Sequence, residues 1–543
     1  MTGLLSRPDG SRTEAARLVD GSLGIARRHW VLVALMIAGL ALRVLAQIAY
    51  RPALLYIDTV KYLYNGYPGS DPVGYKAPLK AILAFGGLPA VTAIQHLLGL
   101  GMAVTIYVIL VRRGTVRWLA AVATAPVLLD AYQIQIEQTI MPDVWFEALL
   151  LAGIVALLAA GSAVRQAGNG QGGIAKSRVR SGLVAVILAG LLLGATATVR
   201  QVGEILIVPA LLYLLAVGGG WRATVTRAAA LTVAFAVSVI GYMAGSYVIS
   251  GHFWLASATP SLATYGRMAT AADCAALHIP RYERVLCPTA KQRAFGIDWL
   301  DHDVASPLKS YTAPPGMNRY AVIASFDYQV AAQQPLRVAG AIAADGLKLF
   351  ALTRTSSQEG TPISRWQFQK FYPTYGDTVM LDRHLRIVLG LHLTSGNSAI
   401  TLHPLDRGYG GRATVDKPIA SALRTYQLNG GYAPGPLMAV FTLAGLAGSL
   451  LALVRRRAGK RRGLDLACLV FFATGAAVLV ASDAFQFTWR YQLPALVTLP
   501  PAGAAALTIA GGYLASRARR RGGGEAQREP AEEHPAPRAE TPR

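Results

Sequence analysis

Long apolar stretches recur along this chain and alternate with short polar tracts that carry arginine. A helix needs roughly 17 to 25 residues to cross a hydrocarbon core of about 30 Å. Ten stretches approach that length: residues 30–50, 89–111, 118–136, 142–161, 182–199, 203–218, 229–249, 434–454, 464–482 and 492–515. Backbone polar groups inside lipid must be satisfied within their own segment, so each stretch is predicted to be helical. Pro126, Pro209, Pro494 and Pro500 interrupt several of them. The pattern predicts an all-α polytopic membrane protein with about ten transmembrane helices. The first stretch is too long for a signal peptide, and no small-residue cleavage site follows it.

The same pattern divides the chain. Residues 1–29 read as a polar cytoplasmic leader and 30–249 as an N-terminal transmembrane bundle with short loops. Residues 250–433 lack a convincing span and read as a mainly helical extracytoplasmic region; 434–515 return to the membrane as C-terminal helices. Residues 516–543, rich in Arg, Pro and Glu, read as a disordered cytoplasmic tail, and 167–177 (AGNGQGGIAKS) as a flexible loop. No internal repeat is visible in the helix pattern. Within 250–433, QPLRVAGAIAADGLKLFAL (334–352) has helical apolar spacing broken by Arg337, Asp345 and Lys348, which predicts an amphipathic rather than a spanning helix. WLDHD (299–303) reads as a polar turn. WQFQKFYPTYGD (366–377) suits either sugar-ring stacking or ordinary aromatic packing. Cys274 and Cys287 fall in the same region, where a disulfide between them competes with two free thiols.

Charge then fixes an expected orientation. Only 15% of residues are charged, yet the formal net charge is +23, which by itself invites a nucleic-acid reading. The tracts 1–29, 112–117, 162–181, 219–228, 455–463 and 516–543 hold 27 basic and eight acidic residues. The remainder holds 25 basic and 21 acidic. The asymmetry is a positive-inside signal that alternates with ten spans and places both termini in the cytoplasm. It excludes a nucleic-acid partner and predicts a multi-pass plasma-membrane protein.

Ionisable groups inside or at the rim of a membrane bundle are functional candidates. At the predicted exterior ends stand Arg43, Asp58, Lys61, Lys76, Asp130, Glu137, Asp143, Arg200, Glu204, Asp483 and Arg490. Asp58 follows the first span in LLYIDTVKYLYNGYP, and Asp143 joins the third to the fourth in DAYQIQIEQTIMPDVWFEALLL. Two acids in the first two exterior loops suit acid–base or metal-assisted group transfer. Each could instead cap a helix or pair with an arginine, and Asp143 follows Pro142 at a helix start. Arg200 and Arg490 could equally be interfacial anchors. His96 lies within a span, where a structural hydrogen bond to a neighbouring helix is the favoured reading. The sequence holds no GxxxxGK[ST], HExxH or CxxC motif, and WLDHD lacks the glycine and spacing of a calcium loop.

These residues in this order resemble the GT-C superfamily of integral membrane glycosyltransferases. Asp58 in YIDTVKYL occupies the position of that family's first-loop acid. IEQTIMPDVWFEALL resembles its second acidic motif, with Asp143 the best match and Glu137 a nearby rival. TATVRQVGEILIVPALLYLL (195–214) and FTWRYQLPALVTLPPAG (487–503) resemble its arginine-bearing stretches. QHLLGLG (95–101) and PVLLDAYQIQIEQTIMPD (126–143) are similar to an actinobacterial branch. The resemblance implies a polyprenyl-phosphate sugar donor, Asp58 as base, and Asp143 or Glu137 positioning the acceptor or a divalent cation such as Mg or Mn held by Asp58 and Asp143. It further implies that Arg200, Arg490 and Lys76 hold the donor phosphate. The acceptor would be an envelope glycan, a glycolipid or a protein. Two departures stand out: Asp58 is followed by Thr59 rather than a second acid, and a GYP-like stretch reads GYKAP at 74–78. A polytopic transporter or lipid flippase, and a ligase acting on envelope lipids, are the alternative classes.

Overall fold

The computed structural model describes residues 27–56, 58–63, 71–168, 172–256, 260–356, 360–372, 379–381, 387–389, 403–404, 413–454 and 460–525. The leader up to residue 26, the tail from 526, and residues 169–171 and 373–378 lie outside that set.

Sixteen of the helices among the described residues carry the architecture. From the N-terminus they are α1 (Trp30–Ala49), α2 (Lys76–Leu83), α3 (Leu88–Arg112), α4 (Ala131–Glu137), α5 (Asp143–Gly168), α6 (Gly172–Val199), α7 (Ile207–Val217) and α8 (Trp221–Ser250). After them come α9 (Pro260–Ala271), α10 (Ile297–His302), α11 (Arg319–Gln333), α12 (Pro335–Leu347), α13 (Lys417–Leu428), α14 (Gly435–Val454), α15 (Lys460–Phe485) and α16 (Pro494–Glu525). Among the described residues, eight segments are long and apolar enough to span a membrane: α1, α3, α5, α6, α8, α14, α15 and the segment that ends in α16. The chain is an all-α polytopic membrane protein.

The expected ten spans are therefore revised. Residues Arg117–Leu129 and α4 form one pair bent by 54°, which makes nine if counted as a single broken span. The expected span 203–218 is a shorter apolar piece, Gln201–Val217, whose first turn is a tight 3-10 helix. Two further boundaries move. α6 begins at Gly172, inside the stretch expected to be a flexible loop, and α16 continues to Glu525, inside the expected tail.

The bend at Asp130 has a clear physical basis. It frees the carbonyls of Val127 and Leu128, which cannot be left bare inside lipid. Arg43, buried in the middle of α1, donates to both, at 3.0 and 2.9 Å, and also to Gly39 at 3.1 Å. Its remaining charge is met by Glu137 at 2.7 Å. His96 Nδ1 lies 2.9 Å from the same carboxylate and Nε2 lies 2.8 Å from Gln138 Oε1, which is the structural role expected of it. Gly99 faces this knot, and a Cβ there would overlap the Glu137 carboxylate.

In the membrane bundle α5 packs along α6, α6 along α8, and α14, α15 and α16 form a mutually packed trio that meets α5 and α7 through α15. The region between α8 and α14 carries no span among the described residues. Helices α9 to α12 enclose a separate apolar core around Tyr265, Leu300, Ile323 and Phe326. Cys274 and Cys287 are joined there in a disulfide, as one of the two sequence readings had it. WLDHD is not a turn but most of α10, and its Asp301 accepts the Gly266 amide at 2.8 Å. The amphipathic helix expected near 334–352 is α12, whose Asp345 pairs, fully buried, with Arg267 of α9. Short strands also occur: β1 (Tyr50–Arg51), β2 (Val379–Leu381), β3 (Ile387–Leu389), β4 (His403–Pro404) and β5 (Thr414–Val415). β1 pairs antiparallel with β5, which brings the end of the 250–433 region back to the mouth of α1.

Candidate functional site

The chain leaving α1 runs extended beside the chain entering α5. Leu54 N–H donates to Gln138 O at 2.9 Å and Ile140 N–H to Leu54 O at 3.0 Å. The Thr59 hydroxyl accepts from the Tyr56 amide and donates to Ile140 O, closing a turn with Asp58 at its tip. Two loops separated by α3 and the bent pair Arg117–Glu137 are thereby zipped together, so Asp58 and Asp143 share one neighbourhood. Asp143 opens α5, where the helix dipole favours a carboxylate. Arg200 follows the last residue of α6 and precedes the 3-10 turn Gln201–Leu206. Arg490 sits in the 3-10 turn Trp489–Gln492 that leads into α16.

These four side chains converge. Arg490 Nη1 donates to Asp58 Oδ2 at 3.0 Å, and its Nε lies 3.2 Å from Asp143 Oδ1. Arg200 Nη1 donates to the same Asp143 oxygen. Lys61 Nζ lies 3.6 Å from Asp58 Oδ1 and bonds Asp71. The Tyr491 ring lies beside both guanidinium groups, 4.5 Å from Arg200 and 5.1 Å from Arg490, and the Trp366 ring lies 5.2 Å from Arg490. Stacked guanidinium groups keep their edges free for bidentate binding of phosphate. Asp143 is almost wholly buried and its Oδ2 has no hydrogen-bond partner, while the Asp58 side chain is 28% exposed. Burial alone would raise the Asp58 carboxyl, but Lys61 and Arg490 outweigh it and hold the pKa at about 2. Lys61, lowered by burial but raised more by Asp58 and Asp71, stays protonated.

A second buried pair frames this centre. Asp130 caps α4 through the Tyr132 amide and accepts the Ala433 amide at 2.9 Å. It also takes both terminal nitrogens of Arg354, at 3.1 and 2.5 Å. The Arg354 guanidinium is ringed by Tyr132, Tyr432 and Trp489 at 4.6, 4.9 and 5.0 Å. The Trp489 indole donates to Thr355 O at 3.0 Å, so the turn that carries Arg490 is held from its neighbour.

The structure thus brings together Asp58, Asp143, Arg200 and Arg490 and leaves two expected site residues apart. Glu137 is not in the cluster: Arg43, His96 and Gln133 enclose its carboxylate inside the bundle. The Lys76 ammonium makes no hydrogen bond or ion pair with the described residues, and burial, with Lys80 adding to it, lowers its pKa to about 8. Its loop docks nearby, since Gly74 N–H donates to Thr198 O at 2.8 Å, two residues before Arg200. Sequence reasoning missed Tyr56, Arg365 and Tyr491. Arg365 reaches the Tyr56 hydroxyl at 3.3 Å and Asp298 at 3.6 Å, and Tyr491 was adjacent to Arg490 in a stretch already marked. Trp366, in the aromatic segment, is packed against the bundle, its indole donating to the Thr488 hydroxyl at 2.9 Å.

The residues do not fit a divalent cation. No three His, Cys, Asp or Glu side chains among the described residues come together to hold a metal ion. Arg490 lies between Asp58 and Asp143 and contacts one oxygen of each. An ion bridging the two acids would have to displace a guanidinium with another, Arg200, beside it.

No family model matches the sequence, and no curated protein matches it. Among solved structures the chain aligns with the archaeal oligosaccharyltransferase AglB from Archaeoglobus fulgidus, determined in complex with an inhibitory peptide and a dolichol-phosphate. The alignment has 11% identity and a TM-score of 0.36, and covers 92% of this chain and 52% of that one. This chain spans about half the length of that protein. At such distance the chemistry rests on the residues of the site.

Proposed function

We propose that this protein is a membrane glycosyltransferase of the GT-C kind. It would transfer a sugar from a polyprenyl-phosphate carrier to an envelope acceptor on the extracytoplasmic face, with inversion at the anomeric carbon. One observation carries the reading: acids and arginines from four distant segments, Asp58, Asp143, Arg200 and Arg490, meet at the ends of the spans. The positive-inside pattern supports the assignment of that end to the exterior.

The donor's lipid tail would remain in the bilayer while its phosphate meets Arg490 and Arg200, with Lys76 at the approach. Asp58 takes the proton of an acceptor hydroxyl as that oxygen bonds the anomeric carbon. The bond from that carbon to the phosphate oxygen breaks, and the leaving polyprenyl phosphate keeps the electron pair, held by the two arginines. Asp143 orients both guanidinium groups. An aspartate held at about 2 is a weak base. A phosphate that draws Arg490 toward itself removes part of what holds the value down, so donor binding would prime the base. No step is routed through a metal.

The test uses full-length protein in proteoliposomes with a polyprenyl-phosphate sugar. Arabinosyl and mannosyl donors are the first to try. Asp58→Asn should lower transfer by about 10²- to 10⁴-fold, the usual contribution of a positioned base. Undiminished transfer would refute the base. Substrate flux without glycosidic product, in wild type, would replace the reading with a transporter or flippase.

A further inference from the structure

At the opposite end of the bundle, three span termini meet around a pocket of about 370 Å³. Its walls include Arg28, His29 and Trp30 at the start of α1, Tyr107 of α3, and Arg117 and Trp118 at the start of the bent span. The His29 ring and the Tyr107 hydroxyl are joined at 2.6 Å with the rings edge to face at 5.6 Å, which ties α1 to α3 and forms the floor. Neither Arg28 nor Arg117 forms an ion pair with any described residue, and no acidic side chain among the described residues lines the pocket. Two guanidinium groups with no acidic partner among the described residues, over an aromatic floor, make an anion site.

Its depth and its surroundings say which anion. Tyr107 is five residues before the end of α3 at Arg112, about 7.5 Å by helical rise, while Trp30 and Arg117 are first residues of their helices. The pocket therefore lies where a span passes from hydrocarbon to headgroups. Trp30 and Trp118 are 67% and 58% exposed at that level, the depth at which tryptophan concentrates in membrane proteins. Below Trp30, the exposed side chains Val33, Ile37, Leu40 and Val44 repeat at helical spacing down one face of α1. A soluble anion would use only the arginines. A phospholipid would use the whole surface, with phosphate between Arg28 and Arg117, glycerol against the tryptophans and an acyl chain along α1.

We infer that this pocket binds the headgroup of an anionic membrane phospholipid, at a site separate from the Asp58 centre. Full-length protein in detergent, titrated with phosphatidylglycerol and followed by native mass spectrometry, tests it. Each neutralising substitution, Arg28→Gln or Arg117→Gln, should weaken retention of the most tightly held lipid about fivefold. Arg222→Gln, an exposed arginine outside the pocket, should leave it unchanged. Phosphatidylcholine should be retained less than phosphatidylglycerol by wild type. Equal loss in Arg222→Gln, no loss when Arg28→Gln and Arg117→Gln are combined, or equal retention of phosphatidylcholine would overturn the inference. Competition by millimolar inorganic phosphate that displaces the lipid would instead make this a site for a free anion. Asp58→Asn should retain the lipid as wild type does, so the outcome is independent of glycosyl transfer.

Discussion

Two arginine–carboxylate constellations lie in the same half of this bundle and behave as opposites. Around Glu137, every element closes inward: Arg43 serves three carbonyls and the carboxylate, His96 and Gln133 approach from other sides, and Gly99 leaves no space beyond. Around Asp58 and Asp143, valences are left over. Asp143 Oδ2 has no partner, Asp58 is partly exposed, and Arg490 contacts two acids where one would neutralise it. A buried ion pair enclosed on every side fixes a helix break in place. One with spare donors beside an opening can exchange a partner for a substrate. Residue type does not separate the two; access does, since the Glu137 side chain is wholly buried and that of Asp58 is partly exposed.

That contrast can be broken at either end. The largest expected effect is on chemistry: Asp58→Asn should cost about 10²- to 10⁴-fold in transfer while thermal unfolding in detergent shifts by no more than about 1 kcal/mol equivalent. The mirror experiment is Arg43→Ala. Leaving Glu137 buried without its cation should destabilise the fold by about 3–5 kcal/mol, seen as a lowered unfolding temperature, with the chemistry of surviving protein intact. If Arg43→Ala is stable and inactive, the division between the two constellations fails.

Arg490→Lys probes the bridge. A lysine cannot hold two carboxylates and a phosphate as a planar fork does, so transfer should fall roughly 10- to 100-fold with donor KM raised. Gly99→Ala tests the closed knot from outside it: overlap with Glu137 should cost about 1–3 kcal/mol of stability and leave KM unchanged. The smallest effect concerns pH. Lys76, with its pKa lowered to about 8 by burial, carries charge below that pH and loses it above. Donor affinity should therefore weaken about two- to fivefold as pH rises through 8, and Lys76→Gln should abolish that step. Asp58, ionised down to about pH 2, should give the free protein no acid limb above roughly pH 3.

Much of the fold was legible because lipid imposes a length and forbids bare backbone. Eight of the spans appear where apolar stretches of the required length occur. The two segments that are not straight full-length spans, 118–136 and 203–218, each contain an event that hydropathy does not encode: a bend satisfied by Arg43 from another helix, and a 3-10 turn packed against Thr196. Asp58, Asp143, Arg200 and Arg490 stood out as charges at the rims of apolar runs. Glu137 stood out for the same reason and proved structural. Its partner Arg43 lies 94 residues away, and nothing local announces that pairing. Arg354 and Tyr56 gave no signal, since one sits in an unpatterned loop and the other looks like any interfacial tyrosine.

By itself the sequence determined the material of this protein: how many apolar segments it has, which ends carry basic tracts, and which few charges stand beside them. These follow from local composition acting against water and lipid. Which charges meet was decided only by tertiary structure. Arg490 reaches Asp58 across 432 residues, and that contact depends on the zipping of the first two loops and on the Arg354–Asp130 frame behind Trp489. Periodicity specifies the face a residue occupies. The partner it finds there depends on how the helices pack, and that packing separates the open cluster from the closed one.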